Sequence, residues 1–145
     1  MAMFKVTRAS TALSTTNDLM TITCAASRRV KIVAITVGAM GTASAANSIM
    51  VQRSTGGVTA GGAITPERTV TDSVAASAVI STTWGTQPTL SLTPLTRIPV
   101  NANGGVFRFV YTIGHEIELR NSEQLSLRSE TGTSNVVVTV EWEEF

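Results

Sequence analysis

Several residue types are nearly absent from this 145-residue sequence, and each shortage excludes a class of structure. Cys24 is the single cysteine, so no intrachain disulfide can form. His115 is the single histidine, so the Cys and His ligands of a structural zinc centre are also missing. We therefore expect no bound metal and no cofactor. Ile22 and Ala26 flank Cys24, which predicts a small buried side chain at that position.

An excess of charge of one sign is missing as well. Eleven Lys and Arg residues stand against ten Asp and Glu residues, for a formal net charge of +1. The basic residues are scattered from Lys5 to Arg128, and only Arg28 and Arg29 are adjacent. Because no basic stripe is present to contact phosphates, we expect no nucleic acid partner. The Arg28-Arg29 pair is interpreted as a solvated turn at the start of a strand.

Long apolar runs are absent too. The first ten residues, MAMFKVTRAS, lack the apolar stretch of a secretory signal peptide. The most apolar segment, Val30–Met40, is too short to cross a bilayer and contains Lys31. We therefore expect a protein that is made in a reducing cytosol and has no membrane partner.

Helical patterning is scarce. Ala, Val, Ser, Thr and Gly dominate the composition, whereas the Leu, Glu, Lys and Gln that fill surface helices are few. Residues 70–80 are the best helical candidate, with Asp72 in position to act as N-cap. Every second residue of Val74–Ile80 is also apolar, however, so this segment is interpreted as a strand.

Strand patterns fill the chain instead. β-Branched or aromatic runs bounded by turn residues predict eight to ten short strands. The predicted segments are Phe4–Arg8, Leu19–Ala26, Val30–Gly38, Ser48–Ser54, Val74–Thr83, Arg97–Val100, Val106–Thr112, Glu116–Arg120, Glu123–Ser129 and Asn135–Glu143. This pattern favours an all-β, antiparallel β-sandwich or barrel. No repeat or linker divides the chain, so residues 1–145 are interpreted as a single domain, with residues 1–18 considered as an N-terminal arm.

The strand Val30–Gly38 is unusual because both of its faces are apolar. Its two alternating series are Val30, Ile32, Ala34 and Val33, Ile35, Val37. A strand of this kind is expected to be covered on both sides. In a two-sheet sandwich the second cover would be a third layer or a neighbouring subunit.

Two other strands alternate cleanly. In the C-terminal strand the apolar series is Val136, Val138, Val140 and Trp142. The other side of the strand ends in the acidic residues Glu141 and Glu143. Phe107, Phe109 and Tyr111 likewise share one face of their strand. These two strands hold most of the few aromatic residues, so we expect them to anchor the core.

Glycine marks the connections. Residues 54–67 contain four glycines but no lysine of a phosphate-binding loop, and they are interpreted as a mobile connection. Residues 101–105 predict a turn, and residues 130–135 predict a hairpin between the last two strands. Within residues 83–94, Trp84 has no alternating partners and is expected to be exposed or at an interface.

The titratable residues do not assemble into a catalytic pattern. His115 follows a glycine and is interpreted as a turn residue, with no Ser-His-Asp arrangement around it. Glu116 and Glu118 lie two residues apart on one strand face, a spacing that suits a glycosidase pair or a cation. No aromatic-lined cleft accompanies them, so they are interpreted as a solvated face paired with Arg120 or Arg128. We expect no catalytic residue and no enzyme activity.

About the last thirty residues resemble the closing strands of small structural proteins of tailed-bacteriophage virions. In those proteins a G-E-x-L-x-L-R segment is followed by a Gly-Thr-Gly turn and a V-x-V-x-V-E-W-E-E strand. The matching residues here are Glu123, Leu125, Leu127, Arg128, Gly132, Thr133, Val136, Val138, Val140, Glu141, Trp142, Glu143 and Glu144. Ser122 departs from the pattern because it stands where glycine is expected.

The resemblance implies a jelly-roll or related sandwich that assembles as a homotrimer and binds the major capsid protein as a decoration or cement protein. Such a protein is synthesised in the host bacterial cytoplasm and resides on the capsid surface of the virion, where many copies stabilise the shell. The candidate interface residues are Val33, Ile35, Val37, Trp84, Val137 and Trp142. The Trp84 loop and the polar residues 10–18 are expected to meet the shell, and the other candidates are expected inside the trimer.

Other functions stay open on the sequence alone. A phage head fibre, a tail adaptor or a tail-tip component would use the same kind of sandwich. A carbohydrate-binding module would use Trp84 with Tyr111 or Trp142 as stacking platforms, although the alternation directs Tyr111 and Trp142 inward. An enzyme would use Glu116 and Glu118.

Overall fold

In the computed structural model, which describes residues 2–69 and 74–145, the chain is an all-β, antiparallel sandwich, and the predicted fold class is confirmed. The strands are β1 (Ala2–Ala12), β2 (Asp18–Thr23), β3 (Arg29–Ala39), β4 (Ala46–Thr55), β5 (Val58–Gly61), β6 (Glu67–Arg68), β7 (Val79–Ser81), β8 (Thr83–Thr86), β9 (Thr89–Leu90), β10 (Thr96–Asn101), β11 (Val106–Val110), β12 (Ile117–Arg120), β13 (Gln124–Thr131) and β14 (Asn135–Glu144). The described residues thus form fourteen strands rather than eight to ten, because β5, β6, β8 and β9 lie where no strand is predicted. Within these residues there is no helix, and hence none long and apolar enough to cross a membrane.

The first long strands of the chain pair with the last long strands in reverse order. β1 pairs with β14, β2 with β13, β3 with β11 and β4 with β10, all antiparallel. The first sheet has the strand order β11-β3-β14-β1-β6, and β12 also pairs with β3. The second sheet has the order β10-β4-β13-β2-β7, with β9 beside β4, and β5 and β8 form a separate ribbon. Most successive long strands therefore change sheets, and each contributes an inward face to one shared core.

The connection between β13 and β14 is not the predicted hairpin. β13 pairs with β2 and β4 in the second sheet, whereas β14 pairs with β1 and β3 in the first. Gly132 makes the crossing with φ +93°, and a Cβ there would overlap the side chain of Asn47. The turn residues are those of a hairpin, but both strands carry an apolar face, and opposite sheets bury both faces in one core.

The two apolar series of β3 arise because the side of the strand that faces the core changes partway along it. The ladder between β3 and β14 skips Val33, which therefore forms a β-bulge. The bulge moves the inward side from Val30 and Ile32 to Ile35 and Val37, and all four side chains are fully buried in the same core. The two apolar series therefore do not belong to two separate faces, because one extra residue transfers an alternating series to the opposite face. Cover of the outer face of β3 by another subunit stays a prediction.

The first residues belong to the sandwich. β1 lies between β14 and β6 and pairs with β14 from Ala2 to Ala12. Phe4 and Val6 of β1 are buried in the core. Residues 2–12 are therefore a strand of the first sheet and do not form the N-terminal arm considered for residues 1–18.

Aromatic packing centres on β14 and β1. Trp142 is fully buried, its ring centroid lies 6.0 Å from that of Phe4, and the predicted alternation along β14 is confirmed. β11 is an edge strand of the first sheet. Phe107 is 41% exposed there, and Phe109 and Tyr111 are only partly buried. β11 therefore anchors the core less than predicted.

The segment 70–80 is only partly a strand. Residues 70–73, with the proposed N-cap Asp72, lie outside the described residues. Residues 74–78 have no regular secondary structure, and β7 begins at Val79. The strand interpretation therefore applies to the end of the segment.

Candidate interaction surface

Four exposed apolar side chains lie along β11 and the turn that follows it. Val106 is 74% exposed, Phe107 41%, Val110 55% and Ile113 97%. We call these four residues the apolar edge. Single exposed apolar residues are ordinary on protein surfaces, but a group of them marks a surface suited to contact with another molecule.

The backbone of β11 is unpaired on its outer side. The N–H of Tyr111 donates to the carbonyl oxygen of Val33 at 2.9 Å, which fixes the alternation of hydrogen bonds between β11 and β3. The N–H and C=O groups of Val106, Arg108 and Val110 therefore point away from the sheet. A row of outward donors and acceptors is a template for another extended chain.

The outer face of the first sheet beside β11 carries small side chains. Val106, Gly38 and Val137 form a row across β11, β3 and β14, and a Cβ on Gly38 would lie 3.8 Å from Val137. Arg108 reaches across β3, and its Nη2 lies 2.9 Å from Oε2 of Glu141. The guanidinium group of Arg108 is thus drawn over the sheet and away from the free edge.

The predicted interface residues do not form one surface. Ile35, Val37 and Trp142 are fully buried within a single chain, so their side chains have nothing to offer a second copy. This part of the prediction was wrong, because the apolar character that suggested an interface serves the core. Val33 and Val137 are half-buried, and their role as contacts stays a prediction.

Trp84 is half-buried against the outer face of the second sheet. Its indole Nε1 donates to Oγ1 of Thr21 at 3.1 Å. The ring also packs on Gly57, where φ is +92° and a Cβ would lie only 2.7 Å from the indole. Trp84 therefore holds β8 against the second sheet, and only the exposed part of its side chain is available for contact with a partner.

A buried polar network lies beside Trp84. Asp18 Oδ1 accepts from Nε of Arg128 at 2.6 Å, and Oδ2 accepts from Oγ of Ser126 at 2.5 Å and from Oγ1 of Thr21 at 2.9 Å. Arg128 also donates to the carbonyl oxygen of Pro88 at 3.1 Å. The side chain of Asp18 has no exposed surface, so this network holds the chain around Pro88 on the second sheet and has no free carboxylate for chemistry.

Glu144 is a second buried carboxylate with several donors. Its Oε2 accepts from the N–H and Oγ of Ser77 at 2.8 and 2.7 Å, and its Oε1 accepts from the N–H of Ala78 at 3.0 Å and from Nε1 of Trp142 at 2.9 Å. Burial alone raises the pKa of Glu144, but the hydrogen bonds outweigh it and hold the pKa below its ordinary value of 4.5. The ionised carboxylate thus ties residues 77 and 78 to β14.

Glu118, one of the two acids near His115, is held in its ionised form by arginines. Hydrogen bonds from Arg120 and Arg29 lower the pKa of Glu118 to about 2. The carboxylate of Glu116 accepts from a backbone N–H at 2.8 Å. The predicted pairing of Glu118 with Arg120 is confirmed, whereas Arg128 pairs with Asp18 instead.

His115 lies in a turn, as predicted, because its N–H donates to the carbonyl oxygen of Thr112 at 2.9 Å. It lines an open hollow of about 380 Å³ together with Tyr111 and both glutamates. The hydroxyl of Tyr111 is 3.0 Å from Oγ1 of Thr96, and its ring stands edge-on to Phe109. Trp142 is buried and therefore does not join Trp84 in a sugar-stacking platform, whereas Tyr111 is half-buried and held by Thr96 and Phe109.

Sequence reasoning missed the apolar edge. The signal was present in the stretch VFRFV, where Val106 and Val110 occupy one face and Phe107 and Phe109 the other. This is the same two-sided pattern that predicts a covered strand at Val30–Gly38. Only the position of β11 at the edge of a sheet shows which strand has apolar residues left over for a partner.

Among the described residues, the remaining ligand-type side chains form no further site. Cys24 is buried, as predicted, and burial raises the pKa of its thiol. In the part of the chain that the structure describes, no three His, Cys, Asp or Glu side chains lie close enough to hold a metal ion. No protein-family model, curated protein or solved structure matches this chain.

Proposed function

We propose that this protein is a non-enzymatic structural protein of a tailed-phage virion, namely a capsid decoration (cement) protein that binds the assembled head and stabilises it. The observation that carries the proposal is the apolar surface that this closely packed sandwich leaves uncovered, at the apolar edge and at Leu92 and Leu95. A surface of this kind suits contact with other protein chains.

The state of the acidic groups supports a structural role over a catalytic one. A general acid or base works best when its pKa lies near the working pH. The pKa values of Glu118 and Glu144 are instead lowered by hydrogen bonds, and Asp18 is enclosed in an ion pair. These carboxylates join segments of the sandwich to one another.

The strand order supports the jelly-roll part of the proposal. Reverse-order pairing of the first four long strands with the last ones is the arrangement of the eight-stranded jelly rolls of viral capsid proteins. The resemblance of residues 123–144 to closing strands of phage structural proteins supports a place on the virion. It also supports the homotrimer and the major capsid protein as partner.

For the contact with the head we propose the loop that carries Trp84 and Leu92. Leu92 is fully exposed and Leu95 is 47% exposed, so this loop has apolar surface that the chain does not cover. A cement protein needs only modest affinity per contact, because many copies act together on one shell.

The test mixes purified protein with expanded heads that lack it and measures co-sedimentation and the heat resistance of the heads. We expect saturable binding and more heat-resistant heads. Leu92→Asp should weaken binding, because it places a charge on the contact. Val79→Asp, also at an exposed position but on β7, is the matched control and should bind like the original protein.

Protein that stays in the supernatant with heads at micromolar concentration would refute the decoration role. If it sediments with tails or whole virions instead, the protein belongs to the tail or to a head fibre. Equal binding by Leu92→Asp and Val79→Asp would refute the assignment of the Trp84 loop as the contact.

A further inference from the structure

We propose that the apolar edge is the site at which two copies of this chain pair, with β11 of one copy lying antiparallel to β11 of the other about a twofold axis at Arg108. The first sheets of the two copies then form one continuous sheet. This goes beyond the proposed function, since it requires no virion component. The twofold contact is separate from the threefold contact of the proposed homotrimer, and it leaves Val33, Trp84 and Val137 free for other contacts.

The outward backbone groups of β11 favour this pairing. Val106, Arg108 and Val110 direct their N–H and C=O groups outward, as the bond from Tyr111 to Val33 establishes. In a twofold antiparallel pair centred on Arg108, each outward residue faces another outward residue. Val106 then pairs with Val110 of the second copy, and the two Arg108 residues face each other. Each of these pairs exchanges two hydrogen bonds, so the outward groups of β11 are all used.

The side chains are self-complementary in the same register. Val106 and Val110 meet on the outer face, and both are more than half exposed in the single chain. On the inner face Phe107 lies opposite Phe109 of the second copy. Apolar residues thus face apolar residues at every position of β11 except the centre, and such cross-strand pairs stabilise antiparallel sheets.

The centre of the pair brings two arginines together, and Glu141 removes the conflict. Like charges directly opposite each other destabilise a sheet. The guanidinium group of Arg108, however, is held 2.9 Å from Glu141, two strands away from the edge. Each arginine is therefore directed away from the axis and neutralised by a carboxylate of its own chain.

Several other sheet edges in the described ranges are protected in ways that β11 is not. β6 has two residues and β7 has three, and β10 carries Pro99, which has no N–H to donate. Beyond β6, β1 has a register shift between Arg8 and Thr11. Short strands, proline and bulges all discourage edge pairing. β11 has none of these devices, and its exposed apolar residues favour pairing.

The test is sedimentation equilibrium of the purified chain over a range from low to high micromolar concentration. We expect reversible association of the unmodified chain. Val106→Asp and Val110→Asp should each raise the dissociation constant roughly tenfold or more, because each buries an unpaired charge at the contact. Val58→Asp, at an equally exposed position on β5, is the matched control and should not. Thermal unfolding of each variant checks that the fold is intact.

A cysteine substitution at residue 108 tests the register between the two β11 strands. In the proposed pair the two Cα atoms of residue 108 lie about 5.5 Å apart, within the range of a disulfide. Arg108→Cys should therefore form a disulfide-linked dimer on mild oxidation, whereas Val58→Cys should not; Cys24 is buried and does not compete.

Three results would overturn the inference: a chain that stays monomeric at high micromolar concentration, association that Val106→Asp and Val58→Asp affect equally, or an associating Arg108→Cys variant that forms no disulfide. None of these measurements uses heads. A failed pairing and a failed decoration role are therefore distinguishable.

Discussion

Replacement of Glu144 by glutamine tests how much one buried carboxylate contributes to the sandwich. Glu144→Gln keeps the shape of the side chain but exchanges one acceptor oxygen for an NH₂ group. In the native protein both oxygens are used, one by Ser77 and the other by Ala78 and Trp142. If the NH₂ group replaces Oε1, the N–H groups of Ala78 and Trp142 face another donor. If it replaces Oε2, the N–H of Ser77 faces another donor, while the Ser77 hydroxyl can turn to accept.

The expected loss follows from the hydrogen bonds. A hydrogen bond to a charged group contributes about 1.5–3 kcal/mol, and a buried donor left without an acceptor costs a similar amount. Because the irregular segment around Ser77 can shift toward water, we take the lower end, about 1.5 kcal/mol, for the lost charged hydrogen bond and the same for the unpaired donor. We therefore expect a loss of about 3 kcal/mol in the free energy of unfolding. For a domain of this size the melting temperature should fall by about 6–12 °C.

The loss should also depend on pH. The pKa of Glu144 in the folded protein lies below its ordinary value of 4.5. A depressed folded-state pKa means that the carboxylate stabilises the fold fully above that ordinary value and loses its effect as pH falls through the folded-state pKa. The difference between the original protein and Glu144→Gln should therefore be constant near neutral pH and shrink in acid.

Urea unfolding followed by circular dichroism from neutral to acidic pH measures both effects. Glu143→Gln is the matched control, since Glu143 is the adjacent residue on the other side of β14 and is only half-buried. Its change should stay within about 0.5 kcal/mol, as for most surface substitutions. A Glu144→Gln variant that unfolds like the control, or a stability difference that stays constant into strong acid, would refute the reasoning.

Three further outcomes are expected. Asp18→Asn should lower the free energy of unfolding by about 3–5 kcal/mol in urea titrations, because it leaves Arg128 beside a neutral group in a buried pair; a loss under about 1 kcal/mol would contradict this. In a carbon NMR titration the Glu118 carboxyl should show a pKa of about 2 in the native protein and a higher value in Arg120→Ala, and an unchanged value would show that Arg120 is not the cause. Cys24 should react with a thiol reagent in native buffer at a small fraction of its rate in urea, since it is buried with a raised pKa; equal rates would contradict its burial.

The success of the strand predictions has a local cause. Each of the ten predicted segments overlaps a strand, because alternation of β-branched residues between turn signals is a property of neighbouring residues. The clearest case is β14, where the apolar series that ends in Trp142 is buried as predicted. The strands β5, β6, β8 and β9 were missed because they have two to four residues, too few for an alternation to be visible.

The errors concern relations between distant residues. The hairpin predicted at residues 130–135 uses suitable turn residues, but which sheet receives β14 depends on β1 and β3, far away in sequence. The bulge at Val33 likewise exists only in relation to the ladder with β14. Buried partners such as Asp18 and Arg128 are separated by most of the chain, so no spacing rule connects them.

The sequence by itself determined that this chain is all-β, because propensity and alternation act over a few residues and agree along its length. It also determined that Cys24 is buried and that His115 lies in a turn. Only the tertiary structure decided which apolar residues serve the core and which are left at the surface. Ile35 and Val106 look alike in sequence, but β3 is flanked by strands on both sides whereas β11 ends the sheet, and an apolar residue becomes a contact site only where neighbouring strands fail to cover it.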